Sequence, residues 1–167
     1  MPVLSLRIMQ PIDSTDVHLL RALSDEPRAT AVAIADRLGL SRNTVQTRLA
    51  RLATSGVLQS LDRRIDPTAL GYPLSAFIAV HVQQKALGAI VEAIAAIPEV
   101  IQAHGLSGQI DLLVQVVCTD AEHLFRIDGD ILAIDGVERT ETSLSMGELV
   151  PFRLRPLLDR AVESPRT

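Results

Sequence analysis

The chain has few aromatic side chains, and this limits the kind of core that it can build. It contains no Trp, one Tyr and three Phe in 167 residues, although hydrophobic residues make up 47% of the sequence. A chain of this length buries roughly 70% of its unfolded surface when it folds. The core must therefore be assembled from Leu, Ile, Val and Ala, in one domain or two small ones.

Cysteine and long apolar runs are also scarce. Cys118 is the only cysteine, which excludes an intrachain disulfide framework and a thiolate metal site. No apolar run reaches the ~18 residues of a membrane span, and the N-terminal MPVLSLRIMQP lacks the apolar region and cleavage site of a signal peptide. We therefore expect a soluble, cytoplasmic protein with no membrane partner.

The motifs of common catalytic and metal sites are missing as well. The sequence has no Gly-rich phosphate loop, no Ser-His-Asp order and no zinc motif. Its four histidines stand singly in different predicted elements: His18, His81, His104 and His123. We expect no metal, no cofactor and a function other than catalysis.

Positive charge is concentrated in one short segment of an acidic chain. The net charge is -4, yet residues 41–64 contain five arginines and only one acidic residue, Asp62. An acidic protein does not coat nucleic acid indiscriminately, but one basic face on it can bind DNA.

Residues 1–66 predict a winged helix-turn-helix. Asp13 is placed to cap a first helix, with Asp16 completing a weak capping box. Thr30 caps a second helix, which Gly39 ends in the left-handed conformation, and Ser41 caps a third. Helix, three-residue turn and helix in this order are typical of helix-turn-helix proteins.

The third predicted helix has two distinct faces. A core-facing stripe is formed by Val45, Leu49, Leu52 and Ala53. The outward face lacks acids, whereas an ordinary solvated helix, the alternative interpretation, would mix Glu and Lys. Amide, hydroxyl and guanidinium groups bind base edges and phosphates. The residues predicted to bind DNA from this helix are Ser41, Arg42, Asn43, Gln46, Thr47, Arg48 and Arg51.

A short hairpin is predicted after the third helix, in VLQSLDRRID. Arg63 and Arg64 lie near its tip, either as a wing that contacts phosphates or simply as a soluble turn. Residues 67–73 follow as a linker, punctuated by proline and glycine.

Residues 74–150 alternate between strand and helix periods in the order β-α-β-β-α-β. This order predicts a ferredoxin-like α+β sandwich with an antiparallel sheet and both helices on one face. The other face must then meet something, most simply a second subunit, and we expect it to carry Ile78, Val80, Leu112, Val114 and Val116. Residues 151–167 are a C-terminal extension.

The turn LSGQID suggests a ligand site between two strands of the sandwich. A backbone N–H exposed by Gly108 beside the Asp111 carboxylate suits a small zwitterion, and the predicted site includes the neighbouring Ser107 and Gln109. An ordinary β-hairpin turn has the same residue types and remains the alternative.

Several stretches together resemble one known family. In order and spacing, IDSTDVHLLRAL, IADRLGLSRNTVQTRLARLATSGVL, DPTALGY, HGLSGQIDLLVQV and IDGVERTETSLSM are similar to the Lrp/AsnC regulators of prokaryotes, over about residues 12–150. The resemblance implies a sequence-specific regulator that binds double-stranded DNA. It also implies a sandwich that forms homodimers and higher oligomers and senses an amino acid.

The resemblance also implies roles for particular residues. Residues 41–51 would be the recognition helix, Gly108 and Asp111 would lie on the effector loop, and Thr140 and Thr142 would match threonines of the last strand. Gln109 stands where the family commonly has an acid, which favours a ligand with a side-chain amide or an aromatic ring.

An enzyme is the alternative to a regulator. The sirohaem decarboxylases of tetrapyrrole metabolism resemble this architecture without binding DNA. Such an enzyme would need a large polar cavity faced by His81 or His104. The acid-free third helix favours the regulator.

Overall fold

The computed structural model describes residues 12–58 and 65–163. The chain divides into two compact units, which we call the helical unit (residues 12–58 and 150–163) and the sandwich unit (residues 65–149). In the described ranges, no helix is both long and apolar enough to cross a bilayer. The elements in chain order are α1 (Ser14–Asp25), α2 (Ala31–Leu38), α3 (Arg42–Thr54), β1 (Leu74–Val82), α4 (Leu87–Ala95), β2 (Val100–Gly105), β3 (Leu112–Cys118), α5 (Ala121–Leu132), β4 (Val137–Leu144) and α6 (Arg155–Glu163).

The predicted caps begin the first three helices. The Asp13 carboxylate accepts the Asp16 N–H at 2.8 Å, and the Asp16 carboxylate accepts the Asp13 N–H at 3.1 Å, which completes the capping box. The Ser41 hydroxyl accepts the Thr44 N–H at 3.0 Å at the start of α3. Gly39 ends α2 with a φ of 64°, a conformation that costs glycine little. The helix-turn-helix prediction is confirmed.

The helical unit has a small aliphatic core between α1, α2 and α3. Its buried residues are Leu19, Ala22, Ile34, Ala35, Val45 and Leu52. Ala53, predicted to face this core, is exposed. The inward stripe of α3 is therefore narrower than the helical wheel indicates, because the core lies under Val45, Leu49 and Leu52 alone.

The predicted wing lies largely outside the described residues. Residues 59–64, which include Arg63 and Arg64, belong to that part of the chain. Val57 and Leu58, the first two residues of the predicted hairpin, pack against the helical core. In the predicted linker, residues Pro67–Leu70 form a short 3-10 helix that is capped by Asp66.

The sandwich unit confirms the β-α-β-β-α-β order. Its sheet has the strand order β2-β3-β1-β4, and every neighbouring pair is antiparallel. Helices α4 and α5 pack on one face through Ile90, Ile94, Ile127 and Ile131, which are nearly inaccessible to solvent.

The prediction for the open face of this sheet is wrong. Its five candidates, Ile78, Val80, Leu112, Val114 and Val116, are all buried beneath α4 and α5. The strand register instead places Phe77, Ala79, His81, Leu113 and Gln115 on the uncovered face. The residues on each of the two faces of β1 include apolar ones. The alternation along the strand therefore does not show which face the helices cover. The bulkier aliphatic set lies under the helices, where it buries more apolar surface.

The C-terminal extension forms a helix in the helical unit. Helix α6 contacts α1, and its Asp159 carboxylate lies 3.1 Å from Arg21 Nε. Arg155 of α6 forms ion pairs with both Asp159 and Asp25. Three helices of the N-terminal segment and one helix of the C-terminal segment therefore make up this unit.

Candidate DNA-binding face and effector loop

The outward face of α3 is accessible to solvent. Arg42, Asn43, Gln46, Thr47 and Arg51 are exposed, and Arg48 is half-buried. Beside them, α3 and the start of α1 form a shallow recess of about 490 Å³. It is lined by Asp13, Asn43, Thr44, Thr47, Arg48 and Arg51. The structure therefore brings the predicted DNA-binding residues of α3 together on one polar surface.

Two of the predicted arginines contact Asp13, which caps α1, and Asp16 in its first turn. Arg48 Nη1 lies 2.7 Å and 2.9 Å from the two oxygens of Asp13, and 2.8 Å from Asp16 Oδ1. Arg51 Nη2 donates to Asp16 Oδ2. The Arg48 side chain is 26% exposed and that of Arg51 is 51% exposed. Arg51 therefore presents much more of its side chain to solvent than Arg48 does.

This cluster remains ionised at neutral pH. Burial alone would raise the pKa of Asp16, but hydrogen bonds from Arg51 and Arg48 outweigh it, and the pKa lies below its ordinary value. Hydrogen bonds to Asp13 and Asp16 raise the pKa of Arg48. Two arginines and two carboxylates leave the cluster with no net charge. The sequence pattern identified Asp13 and Asp16 only as a capping box and missed this second role.

The LSGQID turn connects β2 to β3 in a loop that is exposed to solvent at residues 107–109. The Leu106 N–H donates to the Asp111 carbonyl at 2.9 Å, which closes the loop. Gly108 has a φ of +144°, so this position favours glycine. Ser107, Gly108 and Gln109 are exposed, and their polar groups are accessible to a small ligand.

The Asp111 carboxylate already holds two donors of its own chain. Its Oδ2 accepts the Val82 N–H at 3.0 Å, and its Oδ1 accepts the Gln84 amide at 2.6 Å. These bonds tie the loop to the end of β1. Asp111 therefore has a structural role that the sequence pattern did not indicate.

The two threonines of β4 also have partners. Thr142 Oγ1 donates to Asp128 Oδ1 at 2.6 Å, and Thr140 Oγ1 lies 3.3 Å from Asp128 Oδ2. In the register, Thr140 and Thr142 lie beside Val80 and Ile78, on the face that the helices cover. Their hydroxyl groups thus bind α5 rather than the effector loop.

The histidines are dispersed. His81 lies on the open sheet face, with its Nε2 3.0 Å from an Arg139 guanidinium nitrogen. His123 lies 3.2 Å from a Glu99 carboxylate oxygen, beside the Tyr72 ring. His104 is exposed on β2. Within residues 12–58 and 65–163, no three His, Cys, Asp or Glu side chains gather closely enough to hold a metal ion.

Two family models match this chain, one for each unit. Residues 12–59 match a winged helix-turn-helix DNA-binding domain, and residues 75–154 match the Lrp/AsnC ligand binding domain. The second match ends just before α6.

Two curated relatives are identical to this chain at about a third of the aligned positions. The HTH-type transcriptional regulator FL11 of Pyrococcus horikoshii is 31% identical over 134 residues, which cover 80% of this chain and 89% of that protein. The HTH-type transcriptional regulator AldR of Mycolicibacterium smegmatis is 35% identical over 137 residues, 80% of each chain.

Solved structures share the same fold. E. coli AsnC superposes with a TM-score of 0.77 at 23% identity, covering 87% of this chain and 99% of that one. A transcriptional regulator from Neisseria meningitidis, solved as a complex with L-Met, superposes with a TM-score of 0.75 at 26% identity. That match covers 88% of this chain and 99% of the other.

Proposed function

Because this chain belongs to the Lrp/AsnC family of DNA-binding transcriptional regulators, we propose that it reads a specific operator through α3 and responds to a small amino-acid-like effector. The observation that carries the proposal is the exposed face of α3, which has amide, hydroxyl and guanidinium groups and no acid.

Helix α3 is the DNA-reading element in this proposal. Gln46 and Asn43 have the amide groups that pair with adenine edges in the major groove, and Thr47 lies beside Asn43 on the exposed face. Ala50 is exposed and small, so the helix can approach the groove closely. Arg42, in the first turn of α3, and Arg63 and Arg64 of the predicted wing would contact phosphates, which position the protein without reading sequence.

Assembly follows from the open face of the sheet. Phe77 is 37% exposed there, beside the half-buried Leu113 and the buried Ala79. We propose that a second copy covers this face and makes a homodimer, which can assemble further. Two linked heads bind far more tightly than one because the second binds at a high effective concentration. They would enter successive major grooves.

The effector is proposed to bind at the loop of residues 106–111. Exposed backbone donors at Ser107, Gly108 and Gln109 suit a carboxylate, and Asp111 supplies a negative charge for an ammonium group. The Neisseria meningitidis neighbour, whose structure is a complex with L-Met, supports an amino acid as the ligand class. Thr140 and Thr142, whose hydroxyl groups bind Asp128 of α5, are left out of this proposed site.

Selection of bound fragments from genomic DNA with the purified protein tests operator reading. Gln46→Ala should weaken binding to the selected site by about 1–3 kcal/mol and relax the preference at one base pair. Arg126→Ala, an exposed arginine of α5 in the sandwich unit, is the matched control and should bind as the parent does. Parent-like binding by both Gln46→Ala and Thr47→Ala would contradict the assignment of α3.

A thermal-shift panel of the twenty amino acids tests the effector. A ligand that binds only the folded protein stabilises it by about 2.7 kcal/mol at one hundred times its Kd. We expect at least one amino acid at millimolar concentration to raise the melting temperature. A panel with no shift would contradict an amino-acid effector and leave the DNA assignment intact.

A further inference from the structure

Asp16 is a buried charge at the base of the DNA-binding face. Its side chain is 0% exposed, and it is the only buried charged residue in the described ranges. A fully buried carboxylate does not touch DNA. It acts through its partners, and these are Arg48, Arg51 and the Asp13 N–H.

Arg48 and Arg51 differ in how much of each side chain is accessible for a contact with DNA. One nitrogen of Arg48 contacts Asp16 and both oxygens of Asp13, and its side chain is 26% exposed. Arg51 contacts Asp16 through Nη2, while its side chain is 51% exposed. A guanidinium has five donors in a planar fork, and each arginine is anchored through one nitrogen only. The greater exposure of Arg51 is what leaves its other donors accessible to DNA.

Anchoring changes how an arginine reads DNA. A free arginine on a helix surface adopts many rotamers and loses this freedom on binding, and it can reach a phosphate as easily as a base. An arginine held at one nitrogen is already oriented, so its remaining donors meet one acceptor geometry. Two donors directed at one base edge discriminate among base pairs, which a contact to phosphate does not.

We propose that Asp16 is a positioning residue for operator recognition: it orients Arg51 for a base contact, while Arg48 pairs with Asp16 and Asp13 as a second counter-charge. This inference rests on the proposed role of α3 as the DNA-reading helix. It assigns different roles to two arginines that sequence reasoning placed together on the DNA-binding face.

The proposal predicts opposite changes in two measured quantities. Asp16→Asn removes a negative charge near DNA, so binding to random duplex should be unchanged or stronger. The same variant frees Arg51, so discrimination at the base pair that Arg51 reads should fall about tenfold. A residue that only stabilised the fold would weaken binding to operator and random DNA together.

The experiment uses the full chain and duplexes of equal length. Affinities are measured for the selected operator, for its single-base variants and for random DNA, across several salt concentrations. In an Arg51→Ala background, Asp16→Asn should cause no further loss of discrimination. Additive losses, unchanged discrimination in Asp16→Asn, or a parallel loss on operator and random DNA would each overturn the proposal. A parent chain that prefers no sequence would instead overturn operator reading by α3.

Asp13→Asn is the matched control. It makes the same change of charge in the same cluster, on a carboxylate that is 54% exposed, and asparagine still caps a helix. We expect discrimination to be retained in this variant, and its loss would contradict a specific role for Asp16.

Arg51→Lys keeps the proposal testable even if Asp16→Asn does not fold. Lysine keeps the charge, but its single ammonium lacks the fork that serves Asp16 and a base edge together. Discrimination should fall about tenfold while binding to random DNA stays the same. Full discrimination in this variant would overturn the proposal.

Discussion

Loss of the Asp111 carboxylate should destabilise the sandwich unit by about 2–3 kcal/mol. Two donors depend on this carboxylate, and they differ in environment. The Val82 N–H, 3.0 Å from Oδ2, belongs to a residue that is 6% exposed. The Gln84 amide, 2.6 Å from Oδ1, belongs to an exposed residue and can turn to water. A hydrogen bond to a charged group contributes about 1.5–3 kcal/mol, and a buried donor left unsatisfied costs a similar amount.

Three variants separate these terms. Asp111→Ala removes both acceptors and should show the full loss. Asp111→Asn keeps an oxygen for Val82 and should lose about 1 kcal/mol, whereas Gln84→Ala should change stability by less than about 0.5 kcal/mol. Urea unfolding followed by far-UV circular dichroism, at one fixed protein concentration, measures all three. Equal and small losses in Asp111→Ala and Gln84→Ala would refute the idea that the carboxylate supports the end of β1.

This result decides how the effector site is tested. If Asp111→Ala loosens the loop, its failure to bind an amino acid does not show that the carboxylate touches the ligand. Asp111→Asn preserves the bond to Val82 and removes the charge, so a lower affinity in that variant reports on the ligand's ammonium.

Four further results are expected. Gly136→Ala should lower the free energy of unfolding by about 2–4 kcal/mol, because φ is +88° and a Cβ there would lie 2.7 Å from Ala86 Cβ. Gly129→Ala, at an open position in α5, should raise it by up to about 1 kcal/mol. Urea unfolding measures both. Removal of α6 should lower the stability of the helical unit by about 1 kcal/mol or more, measured as a lower melting temperature, since it removes two ion pairs with α1. Asp16→Asn should lower the free energy of unfolding by about 1–3 kcal/mol at pH 7 and by progressively less below about pH 4. A carboxylate whose pKa is lowered in the folded protein stabilises the fold only while it is ionised. Unfolding at a series of pH values checks this. Burial raises the pKa of the Cys118 thiol, so iodoacetamide should modify it far more slowly in the native protein than in denaturant.

Each of these has a clear contrary result. Equal stability of the two alanine variants would show that the Gly136 backbone and its neighbour adapt at little cost. An unchanged melting temperature without α6 would mean that its ion pairs contribute nothing to the helical unit. A loss for Asp16→Asn that is the same at pH 7 and pH 3 would show that ionisation is not its cause. Equal thiol reactivity with and without denaturant would contradict the burial of Cys118.

Local signals in the sequence were sufficient for the element order. Asp13, Thr30 and Ser41 cap helices through bonds that span three residues, and Gly39 ends α2 through its own backbone freedom. The β-α-β-β-α-β order likewise follows from period and turn residues, since each element is specified by neighbours in the chain. The family resemblance added the expected DNA-binding and effector roles.

The pairing of distant residues could not be predicted from these signals. Asp16 lies 32 residues from Arg48 and 35 from Arg51. The residues next to Asp16 in the sequence indicate a capping box but do not indicate that it also binds two arginines. Asp111 bonds Val82 across 29 residues, and Thr142 bonds Asp128 across 14. Each of these carboxylates has an unremarkable local sequence, so its partners depend on how the elements pack.

The sequence alone indicated the caps of the first three helices, the order of helices and strands up to β4, and the separation of the acid-free face of α3 from its core stripe. Only the tertiary structure decided which alternate residues of β1 lie under the helices, because both sets contain apolar residues and the choice depends on the aliphatic surface of α4 and α5. It also decided that α6 belongs with α1, and that Asp16 holds Arg48 and Arg51. The physical reason is the same in each case: burial and ion pairing act between surfaces that are distant in the chain, whereas sequence periodicity describes only one element at a time.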